Sequence, residues 1–162
     1  MRHLIMLICC MLALCGQAQT VTRVSHSTAV KTDVVTTGQM TIRKPDYICI
    51  STDGGRDQLM MNGTKFTMTT KGKKHRTDCN KNPQFATFQK VLLAVINNQP
   101  IPACEDMTIQ NKGGQQVITI TPTSKKRQMF TSFVLVIDSK TSAMKSLRMN
   151  QKGDNYIEYQ FK

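Results

Sequence analysis

Few residues of this chain have the types and spacing that metal binding requires. His75, Asp78 and Cys79 are spaced like a loose set of metal ligands. They lie beside Lys74 and Arg76, however, and neighbouring positive charges disfavour a bound cation. We therefore expect no metal site at this position and no cofactor.

The sequence also lacks the motifs of common enzyme classes. It contains neither a Gly-rich phosphate-binding loop nor a G-x-S-x-G elbow around a nucleophilic serine. Several aspartates lie in segments typical of turns, where the side chain bonds to nearby backbone: Asp53, Asp57, Asp138 and Asp154. We therefore expect a protein that is not an enzyme.

The first eighteen residues are typical of a secretory signal peptide. Arg2 precedes an apolar run over residues 4–14 that is too short to span a membrane, and Gly16-Gln17-Ala18 supplies a cleavage site. We expect residues 1–18 to be removed and residues 19–162 to form one domain in the periplasm. Lipid attachment at Cys15 is the less favoured alternative, because Leu14 is not the small residue that such a site requires.

The chain is strongly basic, with a net charge of +12. Such a charge favours anionic surfaces or acidic partners, and export argues against nucleic acid. The densest basic cluster, residues 71–76, is predicted to be a solvated loop. Outside the signal peptide the cysteines are Cys49, Cys79 and Cys104, and the sequence leaves open whether the last two form a disulfide.

Alternating apolar residues predict an antiparallel meander of about nine or ten strands. The clearest hairpin signal is Asn62-Gly63, because both residues tolerate the positive φ of a tight turn. This turn would place Leu59 and Met61 opposite Phe66 and Met68.

One segment, residues 83–98, predicts a long helix instead. Asn82 can cap it, Pro83 suits its first position, and Asn97 and Asn98 close it. Its apolar residues recur at helical spacing: Phe85, Phe88, Leu92, Val95 and Ile96. Val91 and Leu93 add a second apolar face, so the helix must be buried on most sides or cover an apolar surface.

Methionine is common outside the signal peptide, at positions 40, 60, 61, 68, 107, 129, 144 and 149. Its flexible side chain can fill an irregular core or line a surface that accepts variable apolar ligands. Composition alone does not choose between these two uses.

The order of these motifs resembles the periplasmic outer-membrane lipoprotein carrier proteins, the LolA family, in their short Bacteroidetes-type form. The resemblance runs from GQMTIRKPDYICI (residues 38–50) through the long apolar helix to LRMNQKGDNYIEYQF (residues 147–161). It implies an α+β fold, mainly β: a half-open antiparallel barrel with a helical lid over an apolar concave face. It further implies a monomer that transiently contacts membranes, with an inner-membrane lipoprotein-releasing transporter and an outer-membrane acceptor as partners.

The resemblance also implies roles for individual residues. The acyl-chain cavity would be lined by Met40, Ile48, Ile50, Leu59, Met61, Phe66, Met68, Phe133, Leu135, Met149 and Tyr159. The lid would contain Phe85, Phe88, Leu92, Val95 and Ile96. Lys44 would be the lid latch, at a position where family members often have arginine. The chain has no tryptophan, and residues 19–36 indicate a strand or loop where the family has a first lid helix.

Two alternatives to a carrier remain open from the sequence. One is a module that holds or senses an envelope lipid or lipoprotein without transporting it. The other is a structural interaction protein in which the methionines fill the core and the helix is permanently docked.

Overall fold

The structure, a computed structural model, describes residues 18–123 and 128–162. The predicted signal peptide, including Cys15, lies outside these residues except for Ala18. Within them, eleven strands and one α-helix form a single open sheet with the helix packed on it. The predicted class, a mainly β fold in which an unclosed antiparallel sheet carries one long helix, is confirmed.

The strands follow one another along the chain, with the helix between the sixth and the seventh. The strands are β1 (Ala18–His26), β2 (Val34–Arg43), β3 (Tyr47–Thr52), β4 (Asp57–Asn62), β5 (Lys65–Thr70), β6 (Lys73–Asp78), β7 (Met107–Lys112), β8 (Gln115–Ile120), β9 (Ser132–Asp138), β10 (Met144–Asn150) and β11 (Tyr156–Phe161). The helix is α1 (Pro83–Ile96), and a short 3-10 helix, Asp53–Gly55, connects β3 to β4.

All neighbouring strands are antiparallel, in the order β6-β5-β4-β3-β2-β1-β11-β10-β9-β8-β7. β1 pairs with both β2 and β11 and thereby joins the two halves of the chain. β6 and β7 are the two edges and do not pair with each other. The sheet therefore stays open, and its two edges belong to strands that flank α1 in sequence.

The sheet is strongly curved around α1. Phe66 on β5 and Phe133 on β9 are seven strands apart, which would separate them by about 33 Å in a flat sheet. Yet the ring of Phe85 lies 4.7 Å from that of Phe66 and 5.8 Å from that of Phe133, between ring centres. One helix therefore packs against both halves of the sheet at once.

The side chains of the inner face alternate along the strands, as a sheet buried on one side requires. Leu59 pairs with Met68 and Met61 with Phe66, so the predicted pairing of this hairpin is confirmed. Its turn is one residue later than predicted: Asn62 pairs with Lys65, and Gly63, with a φ of 58°, opens a two-residue loop.

Two further expectations about the strands are wrong. The basic segment expected to be a loop contains β6, whose first four residues are all exposed. An edge strand tolerates charges on both faces because both remain in water. This strand, together with β1 in the segment expected to be a strand or loop, brings the count to eleven, above the expected nine or ten.

Gly38 lies where β2 and β3 approach most closely. It pairs with Thr52, and a Cβ atom added there would meet the backbone oxygen of Ser51. Glycine is therefore required by the close contact of two backbones.

Candidate functional site

The N-terminal half of α1 is packed tightly into the curved sheet. Phe85 stacks on Phe66 and Phe88 on Phe133, with ring centres 4.7 Å and 4.4 Å apart. Phe130 meets Phe85 edge to face. All five rings are at most 2% exposed, so this half of the interior is closed by aromatic contacts.

Polar contacts fix the same half of the helix. The Gln84 side chain donates from Nε2 to the carbonyl of Phe130 at 2.7 Å and accepts from the Met129 amide at 3.3 Å. Thr87 donates to an Asp106 carboxylate oxygen at 2.8 Å. These bonds attach α1 to the segments that lead into β7 and β9.

The C-terminal end of α1 borders a cavity of about 760 Å3. The cavity lies between this end, the first residues of β1, the β2–β3 hairpin and the β9–β10 turn. Its apolar lining consists of Ala18, Met40, Ile42, Val95, Ile96, Ala143 and Met144. Its polar lining consists of Gln19, Lys44, Asn98, Thr141 and Ser142. We call this space the hairpin cavity.

The chemistry of the hairpin cavity suits an apolar ligand. Its lining includes two methionines, two isoleucines and a valine, contains no carboxylate and has one charged group, Lys44. The volume lies within the range of roughly 300–1,000 Å3 that small-ligand sites have. The flexible methionines can adapt to chains of different shape.

Asn97, not Lys44, makes the hydrogen bond between α1 and the β2–β3 hairpin. Asn97 Nδ2 donates to the Pro45 carbonyl at 2.6 Å and to the Leu93 carbonyl at 2.8 Å. Within the part of the chain that the structure describes, the Lys44 side chain lines the cavity and forms no ion pair. The role of Lys44 as lid latch stays a prediction, and Asn97 is a contact that sequence reasoning missed.

The predicted cavity residues are on the inner face of the sheet, but most lie beneath α1. Met40 borders the hairpin cavity, and Phe66 borders a smaller cavity of about 240 Å3 at the N-terminal end of α1. The others are buried at 4% exposure or less: Ile48, Ile50, Leu59, Met61, Met68, Phe133, Leu135, Met149 and Tyr159. These residues form one buried core together with the apolar residues of α1.

The predicted lid residues divide in the same way. Val95 and Ile96 line the hairpin cavity, and Phe85 lines the smaller one. Phe88 and Leu92 are fully buried. The helix that was predicted for residues 83–98 ends at Ile96 and is capped by Asn97.

Several lining residues were not among the predicted cavity residues. Ile42 follows Met40 by two positions on β2, and that alternation was an available signal. Thr141, Ala143 and Met144 reach the cavity because the β9–β10 turn folds against the end of α1. That approach depends on the curvature of the whole sheet and has no local signal.

A buried ion pair lies elsewhere on the inner face. Arg23 Nη1 is 3.2 Å from Asp57 Oδ2, and the two side chains are 4% and 9% exposed. Asp57 also accepts from the Lys71 amide at 2.9 Å. Burial raises the pKa of the neighbouring Tyr159 to about 12, although the charge of Arg23 opposes the rise. Asp57 was expected in a turn and instead begins β4 as a charged interior residue.

Within the described part of the chain, the three cysteines outside the signal peptide form no disulfide, and Cys79 and Cys104 do not pair. Cys79 is fully buried, and burial together with the charge of Asp78 raises its pKa to about 11. Across residues 18–123 and 128–162, no group of His, Cys, Asp and Glu side chains is arranged to hold a metal ion. No helix in those ranges combines the length and apolarity needed to cross a bilayer.

No family model and no curated protein matches this chain. Solved structures that resemble it include LolA superfamily proteins. LolA superfamily protein NE2245 from Nitrosomonas europaea is 6% identical, with a TM-score of 0.36 over 90% of this chain and 83% of that one. A Vibrio parahaemolyticus domain named for outer membrane lipoprotein sorting is 9% identical, with a TM-score of 0.36 over 89% and 82%.

A third similar structure is the Pseudomonas aeruginosa MucA/MucB complex. Its matching chain is 13% identical, with a TM-score of 0.40 over 90% of this chain and 50% of that one. With TM-scores of 0.40 or less, these similarities carry no argument about this chain.

Proposed function

We propose that this chain is a periplasmic carrier that binds the acyl chains of lipoproteins and shuttles them from the inner to the outer membrane. The observation that carries the proposal is the hairpin cavity at the C-terminal end of α1. There an apolar lining of Met40, Ile42, Val95, Ile96 and Met144 meets a polar rim whose one charged side chain is Lys44. Such a lining matches an acyl chain whose head remains in water.

Burial of acyl methylene groups can by itself supply the affinity that a carrier needs for its cargo. Each methylene removed from water contributes about 0.8 kcal/mol, so a single partly buried chain gives substantial binding. Further acyl chains would extend beneath α1 toward the predicted lining residues. This requires the C-terminal half of the helix to lift, and Asn97 supplies its main polar attachment there.

The attachment of α1 is also compatible with release of the acylated cargo. The aromatic half of α1 is fixed by stacking and by the Gln84 and Thr87 contacts, so it can serve as an anchor. The cavity half has fewer polar attachments, and methionine lining favours adaptable over maximal binding. An inner-membrane lipoprotein-releasing transporter and an outer-membrane acceptor would supply and remove the cargo.

One observation favours the alternative of a protein that holds or senses a lipid without transporting it. The residues beneath the aromatic half are fully packed, which limits how far α1 can move. In this alternative, one acyl chain occupies the hairpin cavity and α1 stays docked on the sheet.

Displacement of a fluorescent apolar probe tests the binding step. Residues 19–162 are loaded with the probe and titrated with a synthetic triacyl lipopeptide, and the unacylated peptide serves as control. The proposal expects saturable displacement by the acylated peptide alone, whereas absence of probe binding would contradict it. Transfer of the bound lipopeptide between donor and acceptor vesicles then separates a carrier from a holder.

A further inference from the structure

β6 presents an unusual edge of the sheet. It pairs with β5 on one side, and among the residues that the structure describes nothing pairs with its other side. Its six residues span about 20 Å. Backbone groups along a free edge can bind an added strand from another chain.

Three exposed side chains of this edge are cationic: Lys73, Lys74 and Arg76. Lys73, Lys74, His75 and Arg76 follow one another and all are exposed. Within the described ranges none of them takes part in an ion pair. Their charge repels a second copy of the same edge and attracts a segment rich in carboxylates.

Open space lies on the inner side of the edge. His75 and Arg76 border the smaller cavity, whose floor includes Phe66 and Phe85. His75 also borders a cavity of about 620 Å3 lined by Gln128, Met129, Gln151 and Lys152. Met129 is 39% exposed there, so an apolar side chain of an added strand would find a partner beside the cations.

We infer that β6 docks a short acidic segment of a partner protein as an additional strand. The main-chain edge would supply hydrogen bonds, and the cations would select carboxylates. This site is separate from the hairpin cavity and does not depend on the acyl-binding proposal.

The placement of the charges favours a strand over a membrane surface. Successive side chains of a strand point to opposite faces, so Lys74 and Arg76 lie on one face of the sheet and Lys73 and His75 on the other. A flat bilayer contacts one face at a time. An extended peptide beside β6 places its own alternating side chains next to both.

Fluorescence polarisation with a labelled Glu/Val peptide tests this inference. The variant Lys74→Glu with Arg76→Glu is compared with Lys112→Glu with Lys145→Glu. The control pair is also exposed and changes the net charge equally, but it lies on β7 and β10. We expect the β6 variant to weaken binding by about tenfold or more, because attraction becomes repulsion, and the control variant to bind nearly as the native chain does.

Backbone pairing is tested with two further peptides, each methylated at one alternating set of its amide nitrogens. We expect one of the two peptides to lose binding. Its charges remain, but its amides that face β6 no longer donate hydrogen bonds. Equal weakening by both double variants, or full binding by both methylated peptides, would overturn the inference. So would binding to vesicles of anionic phospholipid without binding to the peptide.

Discussion

At the scale of single residues, the Arg23–Asp57 ion pair places two charged side chains in the interior. Two charges buried together cost desolvation energy, which is offset only while both partners remain. Among the residues that the structure describes, Arg23 Nε has no hydrogen-bond partner, so the compensation is incomplete. Removal of one partner leaves the other charge buried alone.

Replacing Arg23 by Met should therefore lower the free energy of unfolding by about 3–5 kcal/mol. Urea denaturation measures this loss, and the double variant Arg23→Met with Asp57→Leu should recover part of it. Arg56→Met is the matched control, because Arg56 pairs with Asp53 at 3.7 Å while its side chain is 75% exposed. Equal costs for the buried and the exposed arginine would contradict this account.

Single residues also show where sequence reasoning reached its limit. The alternation that put Leu59, Met61, Phe66 and Met68 on one face was visible locally and is observed. Asp57 was misassigned because a charged residue after Gly-Gly-Arg is typical of a turn. Its partner, Arg23, lies on a strand three positions away in the sheet, and no local pattern reports such a partner.

At the scale of elements, the two ends of α1 make different contacts. Asn82 caps the first turn by accepting from the Gln84 amide at 3.2 Å. Asn97 ties the other end to the β2–β3 hairpin beside the hairpin cavity. The existence and start of α1 were predictable because capping residues and apolar spacing are local. Its tie to Pro45 was not, since it joins residues 52 apart.

Alanine at the two ends should therefore have different effects. Asn82→Ala should cost about 1 kcal/mol as a lost helix cap, and Asn97→Ala about 1–2 kcal/mol through two lost hydrogen bonds. Only Asn97→Ala should speed amide hydrogen exchange over residues 91–97 and alter probe affinity in the hairpin cavity. Identical exchange profiles for the two variants would count against a movable C-terminal half.

At the scale of the whole molecule, two meanders, β1–β6 and β7–β11, are joined by the β1–β11 pair into one open sheet that curves around α1. The class of this fold followed from strand and turn signals along the sequence. The position of the hairpin cavity did not follow, because it is enclosed by the start of β1, the β2–β3 hairpin, the β9–β10 turn and the end of α1. These four segments meet only after the sheet has curved.

The most direct test of the central claim is to fill the hairpin cavity. Ala143 is exposed and borders it, whereas Ala29, equally exposed, lies in the β1–β2 turn. Binding of the triacyl lipopeptide is measured for Ala143→Phe and Ala29→Phe. We predict that Ala143→Phe weakens binding by about tenfold or more, because the ring occupies space that the acyl chain needs, and that Ala29→Phe binds as the native chain does. Unchanged binding by Ala143→Phe would contradict the assignment of this cavity to acyl chains.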